Sequence, residues 1–408
     1  MSLIEEKFLK LGAEYAPGQE VRQNTNEIKL RFDKIPGTPV DFSHGDVDAF
    51  KPIPGSLDVF IEGVHIGGKQ AYTEYRGSMD IRENVAKKLS NFTGAKINAD
   101  KNFIITPGTQ GALFLAMGST VAKGDKVAIV EPDYFANRKL VEFFDGEIVP
   151  IQMDYFENDA SAGLDLTQLE EAFKQGVKLF LFSNPNNPVG VIYSKDEILK
   201  IAELAERYGA TVIVDQLYSR QIFEKRTFTH LCAQDIVNPE NVITIIGPSK
   251  TESLSGYRLG VAFGSAKIID RMEKLQAIVS LRAGGYSQAV LKTWFSEPKG
   301  WMEERILEHQ AIRDDLVSKL QEANGFNVRL TEAGSYLFPR ITQLDMPINE
   351  FVKILRLQAN VIVTPGTEFG PQFTDSFRVN FSQDHKAAVS AIERVIQVVE
   401  AYQNEHVK

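Results

Sequence analysis

Lys250 lies in a stretch of small residues, Gly247-Pro248-Ser249-Lys250-Thr251, and Arg258 follows eight positions later in Ser255-Gly256-Tyr257-Arg258-Leu259-Gly260. A lysine amine in such a place can form a Schiff base with a carbonyl carbon. Most lysines do nothing of the kind and stay solvated, so the surroundings must decide. Asp215 ends the run Thr211-Val212-Ile213-Val214. A carboxylate there is costly to ionise unless a cation meets it; otherwise it reads as a helix cap or a turn residue. Arg378 alternates with Phe377 and Val379 and leaves an expected strand on the face opposite to theirs. A bidentate guanidinium is the natural grip for a carboxylate, although strand arginines are more often solvated.

The elements that position these groups are legible in outline. A β-branched run, Val242 to Ile246, and an apolar run, Leu259 to Phe263, flank the lysine loop, which predicts strand, loop, strand. Upstream, Asn102 to Leu113 reads as a strand, a glycine turn and a helix starting near Thr109. A helix start offers unpaired N–H groups and a positive dipole end, so this junction suits a phosphate. The spacing matches neither a Walker loop nor a dinucleotide fingerprint. Lys126 to Val130 is a strand with Tyr134 beyond its carboxyl end, where a ring packs into the core or stacks on a planar ligand. Lys178 to Ser183 is another, ending in Asn184-Pro185-Asn186-Asn187-Pro188-Val189-Gly190, a stiff turn whose amides could hold a ligand. Asp165 with Gln168, and Ser194 with Glu197, predict capped helices between strands. Strands and helices alternate from about residue 80 to 264, the pattern of a mostly parallel sheet with crossover helices.

The chain has 408 residues, 43% hydrophobic and 24% charged, ample for a continuous core. We expect an amino-terminal arm over 1–45, a large domain over 46–300 and a smaller α+β domain over 301–408. The net charge of −9 and the lack of a basic patch argue against nucleic-acid binding. The single cysteine, Cys232, fits a reducing compartment. No run is long enough to span a membrane, and the first residues lack a basic region followed by an apolar block, so a cytoplasmic location is expected. His44, Asp46 and Asp48 could form a metal or acid/base cluster, but three polar residues beside Gly45 read first as a turn, and we expect no metal.

Ser249-Lys250 followed by Ser255-Gly256-Tyr257-Arg258-Leu259-Gly260, with the Asn-Pro turn and the Asp215-to-Tyr218 spacing in the same order, resembles the class I and II aminotransferases, fold-type I enzymes dependent on pyridoxal phosphate. The resemblance spans nearly the whole chain. It implies a large lobe with a mostly parallel central sheet flanked by helices, plus a smaller α+β lobe. It implies that Lys250 holds the cofactor aldehyde, that Arg258 contacts its phosphate, that Ser249 is a further cofactor-binding residue, and that Gly108, Thr109 and Gln110 form the phosphate cup. By the same resemblance Tyr134 stacks on the ring, Asp215 pairs with the ring nitrogen and Tyr218 with the ring oxygen. Asn187 meets both ring oxygen and substrate carboxylate, while Gly45 and Arg378 lie at that carboxylate. A homodimer is implied, with Tyr72 reaching the partner's cofactor phosphate and Arg282 the distal carboxylate of the neighbour's ligand. Gly247 departs from the family, which often has a hydroxyl residue three before the lysine. The implied function is amino transfer between an amino acid and a 2-oxo acid. Elimination, decarboxylation or amino-acid oxidation on the same site are alternatives, and a non-catalytic cofactor-binding regulator is a further one.

Overall fold

A computed structural model describes residues 2–12, 19, 22–26, 28–156 and 160–403. Its centre is a seven-stranded sheet of β2 (Phe103–Pro107), β3 (Lys126–Glu131), β4 (Glu147–Gln152), β5 (Leu179–Ser183), β6 (Thr211–Asp215), β7 (Val242–Ile246) and β8 (Leu259–Gly264). The spatial order is β2-β8-β7-β6-β5-β3-β4. Neighbours from β7 to β4 pair in parallel, and β8 runs antiparallel to both β7 and β2. The mostly parallel sheet is thus present, with one reversed strand.

Parallel strands covered on both faces must be apolar throughout. Alternate residues divide between two cores: Ala128, Val130, Phe180, Phe182, Val212 and Val214 on one face, Val127, Ile129, Leu179, Leu181, Ile213 and Ile243 on the other. Each such side chain contributes about 1.5–3 kcal/mol by leaving water, so the strand ends are held rigidly. The helix Met79–Thr93, whose spacing predicts an apolar face of Ile81, Val85, Leu89 and Phe92, buries the first three and leaves Phe92 partly covered. The helix Lys195–Tyr208 has the expected reciprocal cap between Ser194 and Glu197 and ends on Gly209 in the left-handed region. At Asp165 only half the expected cap forms. Asp165 accepts from the Gln168 amide, but the Gln168 side chain turns away to accept from the Gln152 amide of β4.

A separate core gathers Val40, Phe42, Phe50, Phe223 and residues from Ile312 onward. Here β1 (Val40–Asp41) pairs with β12 (Val361–Ile362), β9 (Phe326–Asn327) with β11 (Arg340–Ile341), and β10 (Tyr336–Leu337) and β13 (Thr364–Pro365) flank β14 (Phe377–Asn380). The run Val328-Arg329-Leu330 also predicts a short strand, but the strand lies at Phe326–Asn327, and Arg329 turns its guanidinium to Glu332 and the carbonyl of Tyr155. Residues 28–42 join this core through Ile28, Phe32 and Ile35. The helix Leu3–Lys10 instead lies against the large sheet's flank, with Lys7 paired to Asp145 and Lys139 donating to the Leu11 carbonyl.

Candidate active site

In open parallel sheets ligands gather beyond the carboxyl ends of the strands. The connections after β2, β3, β5, β6 and β7 carry Gly108, Tyr134, Asn187, Asp215 and Lys250 to that rim. Because β8 is reversed, its amino end returns there too, and the pairing of Leu259 with Pro107 sets Arg258 beside Gly108. A Cβ added at Gly108, whose φ is +76°, would stand 2.4 Å from an Arg258 guanidinium nitrogen, and one at Gly260 would stand 2.3 Å from the Thr109 amide nitrogen. Glycine is required at both places for the loop and the helix start to meet.

The rim encloses a cavity of about 240 Å³. Thr109, Gln110, Tyr134, Asn187, Asp215 and Tyr218 line it, as do Ser249, half-buried Lys250, Arg258 and, from the second core, Arg378. Gly45 lines a narrower recess that shares Tyr218, Ser249 and Lys250 with the main cavity. Two expected residues are elsewhere. Tyr72 is 80% exposed, and the Arg282 guanidinium sits 5.8 Å from the centre of its ring and 5.3 Å from that of Tyr75.

Charge in the cavity is unevenly matched. Burial pushes the Asp215 carboxyl up to about 6; its Oδ1 accepts from the Leu217 amide at 3.0 Å, and no basic side chain among the described residues pairs with it. It is a turn residue as well as a buried carboxyl. Arg378, also buried, donates from Nη1 to Asn187 Oδ1 at 3.0 Å and from Nη2 to the Ser43 carbonyl at 2.9 Å. Its guanidinium lies 4.4 Å from the Tyr336 ring centre and 4.9 Å from that of Phe369, and its buried Nε has no partner. No carboxylate among the described residues pairs with it. At the mouth, the Asp41 carboxylate 3.4 Å from His44 Nε2 raises the imidazole to about 9, and His44 Nδ1 faces the Gly45 carbonyl at 3.0 Å. Asp46 accepts from the Asp48 and Ala49 amides and Asp48 pairs with Lys51, so these three polar residues serve local contacts.

Sequence reasoning missed Tyr336, Ser43 and Ser183 as cavity residues. The Tyr218 hydroxyl donates to Tyr336 at 2.7 Å. Burial alone would raise the Tyr336 phenol, but the charges of Arg378 and Lys250 and the bond from Tyr218 bring it below the usual value. Tyr336 sits in the unremarkable run Gly334-Ser335-Tyr336-Leu337 and gave no signal. The Gly247 departure has a steric reason. A Cβ there would lie 2.8 Å from Thr109 Cγ2 and 3.1 Å from the Leu259 carbonyl oxygen. Thr109 fills the space, while the Ser249 hydroxyl donates to the Leu259 carbonyl at 3.3 Å.

Tested against pyridoxal phosphate, the donor set fits. The helix Gly108–Thr120 has no side-chain cap, so its first amides and Arg258 offer an anion site. Asp215 offers an uncompensated buried carboxyl to a ring cation. Arg378 offers an uncompensated guanidinium with a free Nε–H to a carboxylate.

A family model described as aminotransferase class I and II matches residues 40–395. The crystal structure of an aspartate aminotransferase from Rhodobacter sphaeroides is 63% identical, covers 98% of this chain and 99% of its own, and superposes with a TM-score of 0.92. An aspartate aminotransferase from Sulfolobus acidocaldarius is 27% identical over 82% of this chain and 83% of its own length. An aromatic-amino-acid aminotransferase from Thermococcus litoralis is 23% identical over 92% and 96%.

Proposed function

The chain belongs to the class I and II aminotransferases, and on that premise we propose how its own side chains divide the work of a pyridoxal-phosphate-dependent transfer between an amino acid and a 2-oxo acid. The phosphate would be held by the amides of Gly108, Thr109 and Gln110 with Arg258 and the Ser249 hydroxyl. Tyr134 would lie against the ring, Tyr218 and Asn187 would serve its oxygen, and the buried Asp215 carboxylate would pair with its nitrogen. Lys250 Nζ would hold the cofactor through its aldehyde. Arg378, with Asn187 and the backbone at Gly45, grips the substrate α-carboxylate. The convergence of Lys250, Asp215 and Arg378 in one cavity carries this reading.

When bound, the cofactor supplies an electron sink for the pair left on the substrate's α-carbon. Lys250 Nζ, once free, takes the α-proton and later returns one, so a single amine acts as base and then as acid. Asp215, whose ionised form is costly while it is buried alone, would keep the ring nitrogen protonated, which is the form of the ring that draws electrons. Arg378, held by Asn187 and the Ser43 carbonyl and flanked by the Tyr336 and Phe369 rings, would bind the substrate's α-carboxylate.

The substrate we propose is aspartate or another dicarboxylic amino acid. The 63% identical relative is an aspartate aminotransferase, and Arg282 supplies a cation for a distal carboxylate. Because Tyr72 and Arg282 meet each other outside the cavity, we place them at the partner's site in a homodimer. Leu57 at 61% exposed and Ile278 at 82% exposed are apolar side chains that such an interface would cover. The domain division at about residues 45 and 300 rests on the two sets of cores, and a cytoplasmic location on the single cysteine. No described helix is long and apolar enough to cross a membrane.

Borohydride reduction of the holoenzyme followed by peptide mapping tests the centre of this reading. The reduced cofactor should be found on the peptide bearing Lys250, and a tag on any other lysine would overturn it. Sedimentation of the holoenzyme at micromolar concentration tests the dimer.

A further inference from the structure

Asp133 is outside the cavity, 2% exposed, and faces only donors. Its Oδ1 accepts from the Tyr134 amide at 2.6 Å and from the Ser183 hydroxyl, and its Oδ2 accepts from the Ser183 amide at 2.9 Å. The Ser183 hydroxyl has one proton. Because that proton goes to Asp133, an Oγ lone pair is left to accept from the Asn187 amide, at 3.0 Å. Asn187 then presents Oδ1 to Arg378 Nη1 at 3.0 Å. A second route leads to the same guanidinium: the Asp133 amide donates to the Phe369 carbonyl at 3.3 Å, and the Phe369 ring lies 4.9 Å from the Arg378 guanidinium.

We propose that Asp133 is a positioning residue that sets the carboxylate grip of Arg378 through Ser183 and Asn187. The proposal rests on the reading of Arg378 and Asn187 given above. Every member, from Asp133 through Ser183 and Asn187 to Arg378, is buried, so each bond is largely shielded from water even where its partners line the cavity, and fixes the next in direction as well as distance. The parallel pairing of β3 and β5 makes the chain possible, since it brings the loop after one strand against the end of the other. An asparagine cannot replace Asp133 in this role. It has one acceptor oxygen, and its amide group would turn a donor toward either the Ser183 amide or the Ser183 hydroxyl. The hydroxyl would then lose its orientation, and the Asn187 turn its anchor.

The test uses holoenzyme and 2-methylaspartate, which keeps the α-carboxylate but has no α-hydrogen, so its binding is read from the cofactor absorbance without turnover. Asp133→Asn and Ser183→Ala should each raise its Kd about five- to tenfold, the loss of one buried hydrogen bond. The double variant should be within about twofold of the weaker single variant, because both changes break one chain. The rate of α-proton removal from saturating aspartate should stay within about threefold of wild type, a binding-against-turnover split that general loosening of the fold would not give. Arg378→Lys serves as the control and should weaken binding at least as much. If Arg378→Lys weakens binding while Asp133→Asn and Ser183→Ala do not, the relay is wrong and the site reading stands. If Arg378→Lys leaves Kd unchanged, the grip itself has been misplaced. Additive losses in the double variant would also overturn the relay. Should Asp133→Asn fail to fold, Ser183→Ala decides alone.

Discussion

Asp215→Asn should stabilise the cofactor-free protein at neutral and alkaline pH while weakening cofactor retention. The reasoning starts from the Asp215 carboxyl, which burial raises from 3.8 to about 6. In the folded chain the group holds its proton to a higher pH than it does unfolded. Below about pH 4 the carboxyl is protonated in both states, and no penalty exists. Between about pH 4 and 6 the unfolded chain ionises first, so folding loses stability as pH rises; above about 6 the full penalty is present. At about 1.4 kcal/mol per pH unit, the gap from 3.8 to about 6 corresponds to roughly 3 kcal/mol. Asparagine keeps an oxygen for the Leu217 amide and carries no charge, so the variant escapes that penalty. Asp133 adds to the gain, since burial and the Asp215 charge together push its carboxyl to about 7. Urea unfolding of cofactor-free protein at pH 8 should therefore show the variant more stable by about 3 kcal/mol, with the difference fading as pH falls toward 4. Adding pyridoxal phosphate should stabilise wild type more than the variant, because only the carboxylate meets a ring cation. A variant no more stable than wild type at pH 8 would refute the claim that this carboxyl lacks a cation in the cofactor-free protein.

Three further outcomes follow from the site. Gly247→Ser should lower stability by about 1–3 kcal/mol in thermal or urea melts, because its Cβ meets Thr109 Cγ2 at 2.8 Å. Combining it with Thr109→Ser, which removes that methyl, should recover part of the loss. Arg282→Ala should raise KM for aspartate about tenfold and leave KM for an uncharged amino acid within about twofold, in steady-state assays; equal changes for both would remove Arg282 from the distal-carboxylate role. Tyr336→Phe keeps the ring beneath Arg378 but removes the hydroxyl that Arg378 and Lys250 acidify. In an ultraviolet pH titration of cofactor-free protein, the earliest phenol to ionise should then be lost.

The sequence placed its predicted strands well where burial was continuous, as at Val242–Ile246 and Thr211–Val214, because a fully covered parallel strand leaves an unbroken apolar run. It did less well where side chains had distant choices. Gln168 could have closed a cap locally but found the Gln152 amide instead. For the last helix, His385–Gln403, the pattern predicts an inward face of Val389, Ile392, Ile396 and Val399; Ile392 and Val399 are buried with Ala391, Val395 and Val398, while Val389 and Ile396 are only partly covered.

The chemistry that sequence alone determined is local. Lys250 and Arg258 share one loop between two apolar runs, Asp215 ends a run of its own, and Asn187 sits in a turn stiffened by proline, so a short stretch of chain names each group and its place on the rim. Which groups touch was decided only by the tertiary structure. Tyr336 meets Tyr218 from 118 residues away, and Asp133 meets Ser183 from 50. Those meetings depend on the lateral order of strands and on how the second core docks over the rim, and both are set by the packing of apolar faces whose one-dimensional pattern carries no record of which face lies next to which.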